Sequence, residues 1–550
     1  MRGLYRRAVA AGALLTALSL TACTVGPPSG NAGTAGAQAS ARLSSAVQKI
    51  MHKPAYSKAA WSVLATDLDT GKTLFGTNAD RLAFTGSTRK LFSVGLALTQ
   101  LGADHTTTTS VYRTGELDGG SLQGDLVLVG AGDLTFGGRR TADNQLAYTD
   151  FDHNDANNLG TGIITPHDPL TGVQALADQI KAAGVTHVTG NVVIDDDLFT
   201  PYRVPNQQLL VTPTMINENM IDVVVTPTSP GEPARIAYRP ETSAFAVTGT
   251  VMTTAAGTVP TVSIPPGTTP AGTSVTGVVN CVGQANCTGQ ISGTIPVDYK
   301  APLSGLPYFL GTFRIDNPEA FARTALIDAL QRDGITVDAP AVGPDPTSLL
   351  APARHYSTAN RLAEYTSAPF AQQARLILKV SLNLGANLAL TQFGLAKGQK
   401  TLDGALAAER RALIAAGIPG DSFRFPTNGS GSPDSEASPR AIVDMLAHMN
   451  TTPVADDYRN ALPLLGVDGS LSSTGADLPA KGHVHGKTGT TATDGKLVAQ
   501  NLAGYIDAKS GHRIAFAIIL NDYGKLESLD DVLHVLADEA AITNVLYLNG

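Results

Sequence analysis

The chain has 550 residues, a hydrophobic fraction of 43%, 56 glycines, 32 prolines and a formal net charge of −8. This length suggests about three domains, and the composition is that of a folded protein with large cores and many turns. An acidic chain with no basic run beyond its N-terminus argues against a nucleic-acid partner.

The N-terminal segment has the pattern of an export signal. Three arginines precede an apolar stretch, Ala8 to Leu20, that is too short to cross a bilayer as a helix. The letters that follow, "LTAC" at positions 20–23, resemble a bacterial lipobox, which is cleaved before Cys23 and lipidated there. Residues 1–22 are therefore predicted to be a signal peptide, and plain secretion or a retained anchor are the alternatives.

Residues 23–45 are small and polar, and they predict a flexible tether with a reach of ~25 Å. A lipid on Cys23 would hold the rest of the chain just outside the cell membrane. Without that lipid the protein would be secreted or periplasmic.

The first folded elements surround a tight turn. The stretch "WSVLATDLDTGKTLFG", from Trp61 to Gly76, predicts two strands joined by Asp-Thr-Gly-Lys. An apolar stripe through Leu91, Val94 and Leu98 then predicts a helix that ends at Gly102.

Short alternating runs such as "GDLVLVGAG" dominate residues 110–345, which predicts one or two β-rich domains, with a helix from Asn317 to Ile335. Cys281 and Cys287 lie in this region in "CVGQANC". In an exported chain they are predicted to form a small disulfide loop, and a redox or metal role is the minor alternative.

The last part of the chain returns to helices around Leu376 and Ala405. Two strands follow, "KLVAQNLAGYID" and "HRIAFAIILN", and then an amphipathic helix from Leu526 to about Leu546. Residues 46–109 and 346–550 are therefore predicted to form one discontinuous domain around the β-rich region.

Three short motifs carry candidate chemistry. In "FTGSTRKLFSVG", Ser87 and Lys90 are three positions apart, so a helix places both side chains on one face. A serine needs a base to become a nucleophile, and a lysine can act as one only if burial or a second cation lowers its pKa. Taken alone, this spacing usually marks a solvated helix face.

The second cation lies in "HGKTGT", which contains Lys487, Thr488, Gly489 and Thr490. The spacing of a phosphate-binding loop is not met there. In a strand, Lys487 and Gly489 share a face, and the glycine lets a ligand backbone approach. The motif therefore predicts a strand edge that binds a carboxylate.

The third motif, "SLNLGANLAL", contains Ser381 and Asn383. Residues two apart on a helix point in different directions, so both reach one site only from a turn between helices. By itself this motif carries almost no information.

In the order Ser-x-x-Lys, Ser-x-Asn, Lys-Thr-Gly, the set resembles the penicillin-recognising serine enzymes. The 294 positions between Ser87 and Ser381 exceed what a bare β-lactamase core needs, and "LPLLGVDGSL" is similar to the D-alanyl-D-alanine carboxypeptidase/endopeptidase branch, the class C penicillin-binding proteins. The resemblance implies an α/β fold with a β-lactamase/transpeptidase-like core, an antiparallel sheet flanked by helices, and β-rich domains inserted between the first and second motifs.

The resemblance also implies roles at matching positions. Ser87 would attack the penultimate D-Ala carbonyl, and Lys90 would be its base. Ser381 would relay the proton to the leaving amine, Asn383 would hold the substrate amide, and Lys487 would bind the terminal carboxylate and, as a like charge, help to keep Lys90 neutral.

Backbone N–H groups of Ser87 and Thr490 would form the oxyanion hole. The implied partners are peptidoglycan stem peptides, β-lactams as covalent inhibitors, and a membrane through the lipid anchor. No cofactor or metal is expected, and a zinc site at His483 and His485 is the minor alternative.

Two positions depart from the branch pattern. Leu382 stands where the branch commonly has Asp, and "NGSGSP", Asn428 to Pro433, replaces an expected Asp-Gly-Ser-Gly-Leu-Ser. Neither change removes a catalytic atom. A β-lactamase and a catalytically silent envelope lipoprotein that binds β-lactam or peptide are the alternative functions.

Overall fold

The computed structural model describes residues 43–206 and 208–550. The predicted signal peptide, Cys23 and most of the predicted tether lie outside the described residues. We call the stretch from residue 108 to 366 the insert, and the rest of the described chain the core. Within the described residues, no helix is both long and apolar enough to span a bilayer.

Strands dominate the insert, whereas the long helices concentrate in the core. The core strands that precede the insert are β1 (Ala60–Asp67), β2 (Thr73–Thr77) and β3 (Ala83–Phe84). The insert strands are β4 (Thr108–Arg113), β5 (Glu116–Asp118), β6 (Ser121–Gln123), β7 (Leu126–Val129), β8 (His187–Val188), β9 (Val192–Asp195), β10 (Tyr202–Arg203), β11 (Leu210–Val211), β12 (Met220–Thr226), β13 (Arg235–Arg239), β14 (Ala246–Thr254), β15 (Pro266–Thr268), β16 (Ser274–Thr276), β17 (Val278–Val279), β18 (Thr288–Pro296), β19 (Phe309–Ile315), β20 (Thr336–Val337) and β21 (Arg361–Thr366). The core strands that follow the insert are β22 (Phe423–Arg424), β23 (Glu436–Ala437), β24 (Val484–Thr493), β25 (Lys496–Asp507) and β26 (Arg513–Lys525).

The helices follow the same division. The core helices before the insert are α1 (43–51) and α2 (Lys90–Leu101). The insert helices are α3 (Ala156–Leu159), α4 (Thr171–Ala182) and α5 (Pro318–Arg332). The core helices after the insert are α6 (Phe370–Lys379), α7 (Asn383–Ala396), α8 (Leu402–Ala415), α9 (Pro439–Met449), α10 (Ala455–Ala461) and α11 (Leu529–Asn549).

A five-stranded antiparallel sheet, ordered β2-β1-β26-β25-β24, is the centre of the core. Because side chains alternate along a strand, β26 serves two apolar layers. Ala515, Ala517 and Ile519 pack with residues of α2, α6, α7 and α9. Ile514, Phe516 and Ile518 pack with residues of α1 and α11 on the opposite face.

This arrangement confirms the predicted fold class, an antiparallel sheet flanked by helices with β-rich structure between the first two motifs. The turn between β1 and β2 and the paired strands β25 and β26 are also where the sequence predicted them. The C-terminal helix begins at Leu529 and ends at Asn549, three residues later at each end than expected.

The insert holds several small sheets. Three four-stranded sheets lie in the described part of the insert, ordered β21-β4-β7-β9, β13-β12-β19-β17 and β20-β8-β6-β5, and β14 pairs with β18 in parallel. Helices α4 and α5 pack on each other, and residues of both join one apolar cluster with these strands. Since β21 pairs with β4, the sheets of the insert extend past the predicted boundary at residue 345.

Candidate active site

Ser87 lies in a 3₁₀ turn, Gly86–Arg89, that leads directly into α2. We call it the nucleophile turn, after the role predicted for Ser87. The turn brings residues three apart onto one side, so Lys90 Nζ lies 2.6 Å from Ser87 Oγ. Gly86 has φ 46°, and a Cβ there would come within 2.8 Å of the backbone nitrogen of Thr490. Only glycine allows the turn to approach the neighbouring strand this closely.

Ser381 and Asn383 lie at the junction of α6 and α7, as the spacing required. Ser381 has φ 60°, a left-handed backbone that turns the chain sharply between the helices. Lys90 Nζ consequently contacts both side chains, at 3.3 Å from Ser381 Oγ and 2.7 Å from Asn383 Oδ1. The first two motifs therefore meet at one amine.

Lys487 projects from the edge strand β24 toward the same site. Its Nζ lies 2.9 Å from Ser381 Oγ and 2.9 Å from the carbonyl oxygen of Thr488. Gly489 lies against the nucleophile turn, where a Cβ would come within 2.5 Å of the carbonyl oxygen of Thr85. All three motifs are thus brought together, with Ser381 between the two lysines.

The two threonines of the third motif differ in their surroundings. Thr488 Oγ1 lies 3.0 Å from Ser470 Oγ. Thr490 Oγ1 instead donates to Gln500 Oε1 at 2.7 Å, on the face of β24 opposite Lys487. The Thr490 hydroxyl is therefore hydrogen-bonded within the sheet. The backbone N–H of Thr490 is the group that lies near the nucleophile turn.

Burial makes both lysines unusual. Lys90 and Lys487 are 0% exposed. Desolvation lowers the pKa of Lys90 well below its usual range, and the positive charge of Lys487 lowers it further. Desolvation lowers the pKa of Lys487 to about 7. Burial therefore favours the neutral form of the amine beside Ser87.

The loop that follows β22 also contacts Lys90, a role that was not predicted from the sequence. The backbone carbonyl of Ser430 accepts a hydrogen bond from Lys90 Nζ at 3.2 Å. Asn428 Oδ1 accepts from the backbone N–H groups of Ser430 and Gly431, which holds that carbonyl in place. Ser432 Oγ lies 2.7 Å from Thr491 Oγ1 on β24. The departure "NGSGSP" was the available signal, because its Asn and glycines favour a tight turn.

A partly buried ion pair joins the end of α6, just before Ser381, to the segment that contains Asp468. Lys379 Nζ lies 2.6 and 2.7 Å from the two carboxylate oxygens of Asp468. The insert contributes here too, since Asp150 Oδ1 accepts from the backbone N–H of Gly469 at 2.9 Å. The motif "LPLLGVDGSL" therefore supports the α6–α7 junction.

The two histidines near the third motif have other partners. The His483 ring stacks on Tyr547, and His485 Nε2 lies 3.3 Å from an Arg459 nitrogen. Among the described residues, the clusters that could hold a metal are Asp67, Asp69 and His512, and Asp152, His153 and Glu218. Neither includes a residue of the three motifs.

Cys281 and Cys287 form a disulfide in the insert. The loop that it closes precedes β18, and Cys287 is buried in the main apolar cluster of the insert. No residue of the three motifs lies in this loop.

Comparison with known proteins agrees with the motifs. A D-alanyl-D-alanine carboxypeptidase from Actinomadura sp. (strain R39) is 27% identical to this chain over 553 aligned positions, which cover 95% of this chain and 88% of that protein. The crystal structure of penicillin binding protein 4 (dacB) from Haemophilus influenzae has the same fold, with a TM-score of 0.65 and 20% identity over 91% of this chain and 99% of that one.

A second structure of the Haemophilus protein, in complex with a β-lactam, matches with a TM-score of 0.62 and 20% identity over the same shares of the two chains. Residues 43–538 match the D-Ala-D-Ala carboxypeptidase 3 (S13) family. Since this match covers most of the chain, the resemblance inferred from the three motifs is confirmed, and the protein belongs to the D-Ala-D-Ala carboxypeptidase 3 (S13) family.

Proposed function

We propose that the protein is a serine DD-peptidase that cleaves the terminal D-Ala-D-Ala bond of peptidoglycan stem peptides through an acyl-enzyme on Ser87. The observation that carries the proposal is the 2.6 Å separation between Ser87 Oγ and the buried Nζ of Lys90. A serine hydroxyl needs a base, and burial supplies a neutral amine for that purpose. Family membership supports the substrate class.

Acylation begins when Ser87 Oγ attacks the carbonyl carbon of the penultimate D-Ala and its proton passes to Lys90 Nζ. The carbonyl electron pair moves to oxygen, and the oxyanion is stabilised by the backbone N–H groups of Ser87 and Thr490. The close packing of Gly86 against β24 supports this assignment, because it brings the two backbones together.

Collapse of the tetrahedral intermediate breaks the C–N bond to the terminal D-Ala. The leaving nitrogen takes a proton from Ser381 Oγ, and Lys90 returns its proton to that oxygen across 3.3 Å. Asn383 orients Lys90 through Oδ1 and holds the substrate amide. Water then attacks the acyl-enzyme, with Lys90 as the base, and Ser87 is regenerated.

Lys487 binds the carboxylate of the terminal D-Ala. Its Nζ lies 2.9 Å from Ser381 Oγ, the hydroxyl assigned above to the leaving amine, and this proximity supports the role. A charge-assisted hydrogen bond there selects peptides with a free C-terminus. The same strand edge accepts the carboxylate of a β-lactam, whose leaving nitrogen stays tethered, so the acyl-enzyme persists.

Export and lipidation are part of the proposal and rest on the sequence alone. A lipid on Cys23 and a tether that ends before α1, which begins at residue 43, would hold the enzyme at the outer face of the cell membrane, near its substrate. Wild-type protein should fractionate with membranes, whereas Cys23→Ser should appear in the soluble or uncleaved fraction. Equal partitioning of the two would overturn the lipid anchor.

Labelled penicillin and a diacyl-D-Ala-D-Ala peptide test the catalytic proposal together. We expect a stable penicillin adduct on Ser87, release of D-Ala from the peptide, and loss of both in Ser87→Ala. A crosslinked peptide dimer, analysed by mass, measures endopeptidase action in parallel. Full adduct on Ser87→Ala would refute the nucleophile.

The same assay separates the alternative functions. Rapid hydrolysis of penicillin in place of a stable adduct would identify a β-lactamase. Stable acylation without D-Ala release would identify a binding protein. The insert between Ser87 and Ser381 favours the peptidase, since a β-lactamase core does not need it.

A further inference from the structure

Arg89 is the last residue of the nucleophile turn, directly before Lys90, and its side chain is 0% exposed. Its guanidinium makes a two-pronged ion pair with Glu409 on α8, with Nη1–Oε1 at 2.8 Å and Nη2–Oε2 at 2.5 Å. The Glu409 side chain is 1% exposed. This fork-to-fork geometry fixes both the position and the plane of the guanidinium.

An aromatic cluster holds the same guanidinium from a second side. Arg89 Cζ lies 3.9 Å from the ring centroid of Phe425. The Phe425 ring in turn packs on Phe92 of α2, at 5.0 Å, and on Phe423 of β22, at 5.2 Å. β22 pairs with β23, and β23 pairs with β3, the strand just before the nucleophile turn. Arg89 is therefore held by contacts that connect to α2 after the turn and to β3 before it.

Stability alone is a weak reason for such a pair. Taking two charges out of water is costly, and apolar side chains of similar volume often replace a buried ion pair without loss of stability. What the pair does supply is a fixed orientation of the Arg89 side chain. Neighbouring helical residues point to different sides, so fixing Arg89 fixes the rotation of the turn, and with it the directions of Ser87 and Lys90.

We propose that the Arg89–Glu409 pair is a positioning pair for acylation, which sets the rotation of the nucleophile turn so that Ser87 Oγ and Lys90 Nζ meet Ser381 Oγ. The proposal rests on the serine DD-peptidase function stated above. Arg89 acts through its neighbours and touches no reacting atom. The positive charge of Arg89 also contributes to lowering the pKa of Lys90, after burial and Lys487.

The test compares Arg89→Met with the double variant Arg89→Met/Glu409→Leu. The single variant leaves a buried carboxylate without its partner and should unfold at a lower temperature. The double variant removes both charges and should recover the unfolding temperature. Its acylation by labelled penicillin should remain about 10- to 100-fold slower than that of wild type, because small misplacements of reacting groups are costly.

A pH profile adds a readout that packing alone would not change. Acylation requires neutral Lys90, so its rate falls at acidic pH. Loss of the Arg89 cation raises the pKa of Lys90, and the acidic limb of both variants should move to higher pH. Arg323→Met is the matched control, because Arg323 is also buried and its hydrogen bonds all go to the insert. It should lower stability without changing the acylation rate or its pH profile.

A folded double variant that acylates within about twofold of wild type, with an unmoved acidic limb, would overturn the proposal. If the double variant does not fold, Arg89→Lys decides, since it keeps the charge and loses the fork. It should acylate more slowly, and a wild-type rate would overturn the proposal. Wild-type protein without any penicillin adduct would instead refute the underlying DD-peptidase function, so the two failures are distinguishable.

Discussion

The two buried lysines of the core and the buried cations Arg139 and His153 of the insert have opposite kinds of partners. In the core, all the hydrogen-bond partners recorded for Lys90 and Lys487 across residues 43–206 and 208–550 are neutral oxygens. In the insert, Arg139 pairs with Asp152 and Glu218. The imidazole of His153 there contacts two carboxylates, those of Glu218 at 2.5 Å and Asp222 at 2.6 Å.

The consequence is visible in the direction of the pKa shifts. Burial lowers the pKa of Lys487 to about 7, because no nearby carboxylate offsets the loss of water enough. Burial acts the same way on His153, but Asp222 and Glu218 outweigh it and raise the pKa to about 10. Equal burial thus gives a reactive amine in one region and a permanent structural cation in the other.

The backbone of the insert supports this interpretation. Asn217, Glu218 and Asn219 have φ values of 49°, 55° and 59°, three consecutive residues in the left-handed region. Each such residue costs on the order of 1 kcal/mol. The strained turn presents Glu218 to both Arg139 and His153, so the ion pairs are the interactions that hold it.

The largest effect is expected from Lys90→Met. Acylation by penicillin should fall by about 10²- to 10⁴-fold, the range for loss of a general base. The unfolding temperature should stay the same or rise, since a desolvated amine has been removed. Stopped-flow acylation and thermal unfolding measure the two quantities. Marked destabilisation would contradict the view that this buried amine has only neutral partners among the described residues.

Arg139→Met should show the reverse pattern. Removing the cation leaves Asp152 and Glu218 buried without compensation, so the unfolding free energy should fall by about 3–5 kcal/mol. The acylation rate of the folded fraction should stay near that of wild type. Denaturant unfolding measures the stability, and active-site titration gives the folded fraction for which the acylation rate is calculated. An unchanged unfolding midpoint would show that the ion pairs of Arg139 do not stabilise the insert.

Lys487 provides a test that depends on pH. Peptides with a free C-terminus should be preferred over amidated ones by about 10- to 150-fold, the equivalent of a charge-assisted hydrogen bond. Lys487 is a cation below its pKa of about 7 and neutral above it, so the preference in kcat/KM should be full at pH 6 and decline as the pH rises past 7. In Lys487→Ala the preference should be absent at every pH. A preference that persists in this variant would assign carboxylate binding to another cation.

The smallest effect is expected from the disulfide of the insert. Cys281→Ser with Cys287→Ser opens a short loop and should lower the unfolding free energy by about 2 kcal/mol through loop-closure entropy. The acylation rate should not change, because the loop lies outside the three motifs. A slower acylation would show that the stability of the insert affects the geometry of the site in the core.

Local patterns predicted several elements of the core. Alternating apolar residues predicted β25 and β26, and the spacing of Ser381 and Asn383 required the turn found between α6 and α7. A second lysine close to Lys90 could be predicted, because a nearby like charge lowers the pKa of an amine that has to act as a base. These features depend on residues that are near in sequence or on motifs with a known order.

Other features depend on contacts that no local pattern records. Helix α4 has buried residues at Val173, Leu176 and Ile180, a helical stripe that the strand-rich surroundings obscured. The Arg89–Glu409 pair joins positions 320 apart, and the role of the Ser430 carbonyl depends on its backbone direction. The direction of the Thr490 hydroxyl, which points toward Gln500, likewise depends on the place of Thr490 in β24.

The position of β26 has a consequence for synthesis of the protein. This strand lies between β1, which leads to the nucleophile turn, and β25, which is joined to the lysine strand β24. A nascent chain that ends before Arg513 contains every residue of the three motifs, yet it lacks the strand that pairs with both β1 and β25. The insert can fold earlier, because its strands pair among themselves. Strand β26 emerges after every residue of the three motifs, and it joins the two halves of the sheet that carry them, so the complete site forms only after this strand has been synthesised.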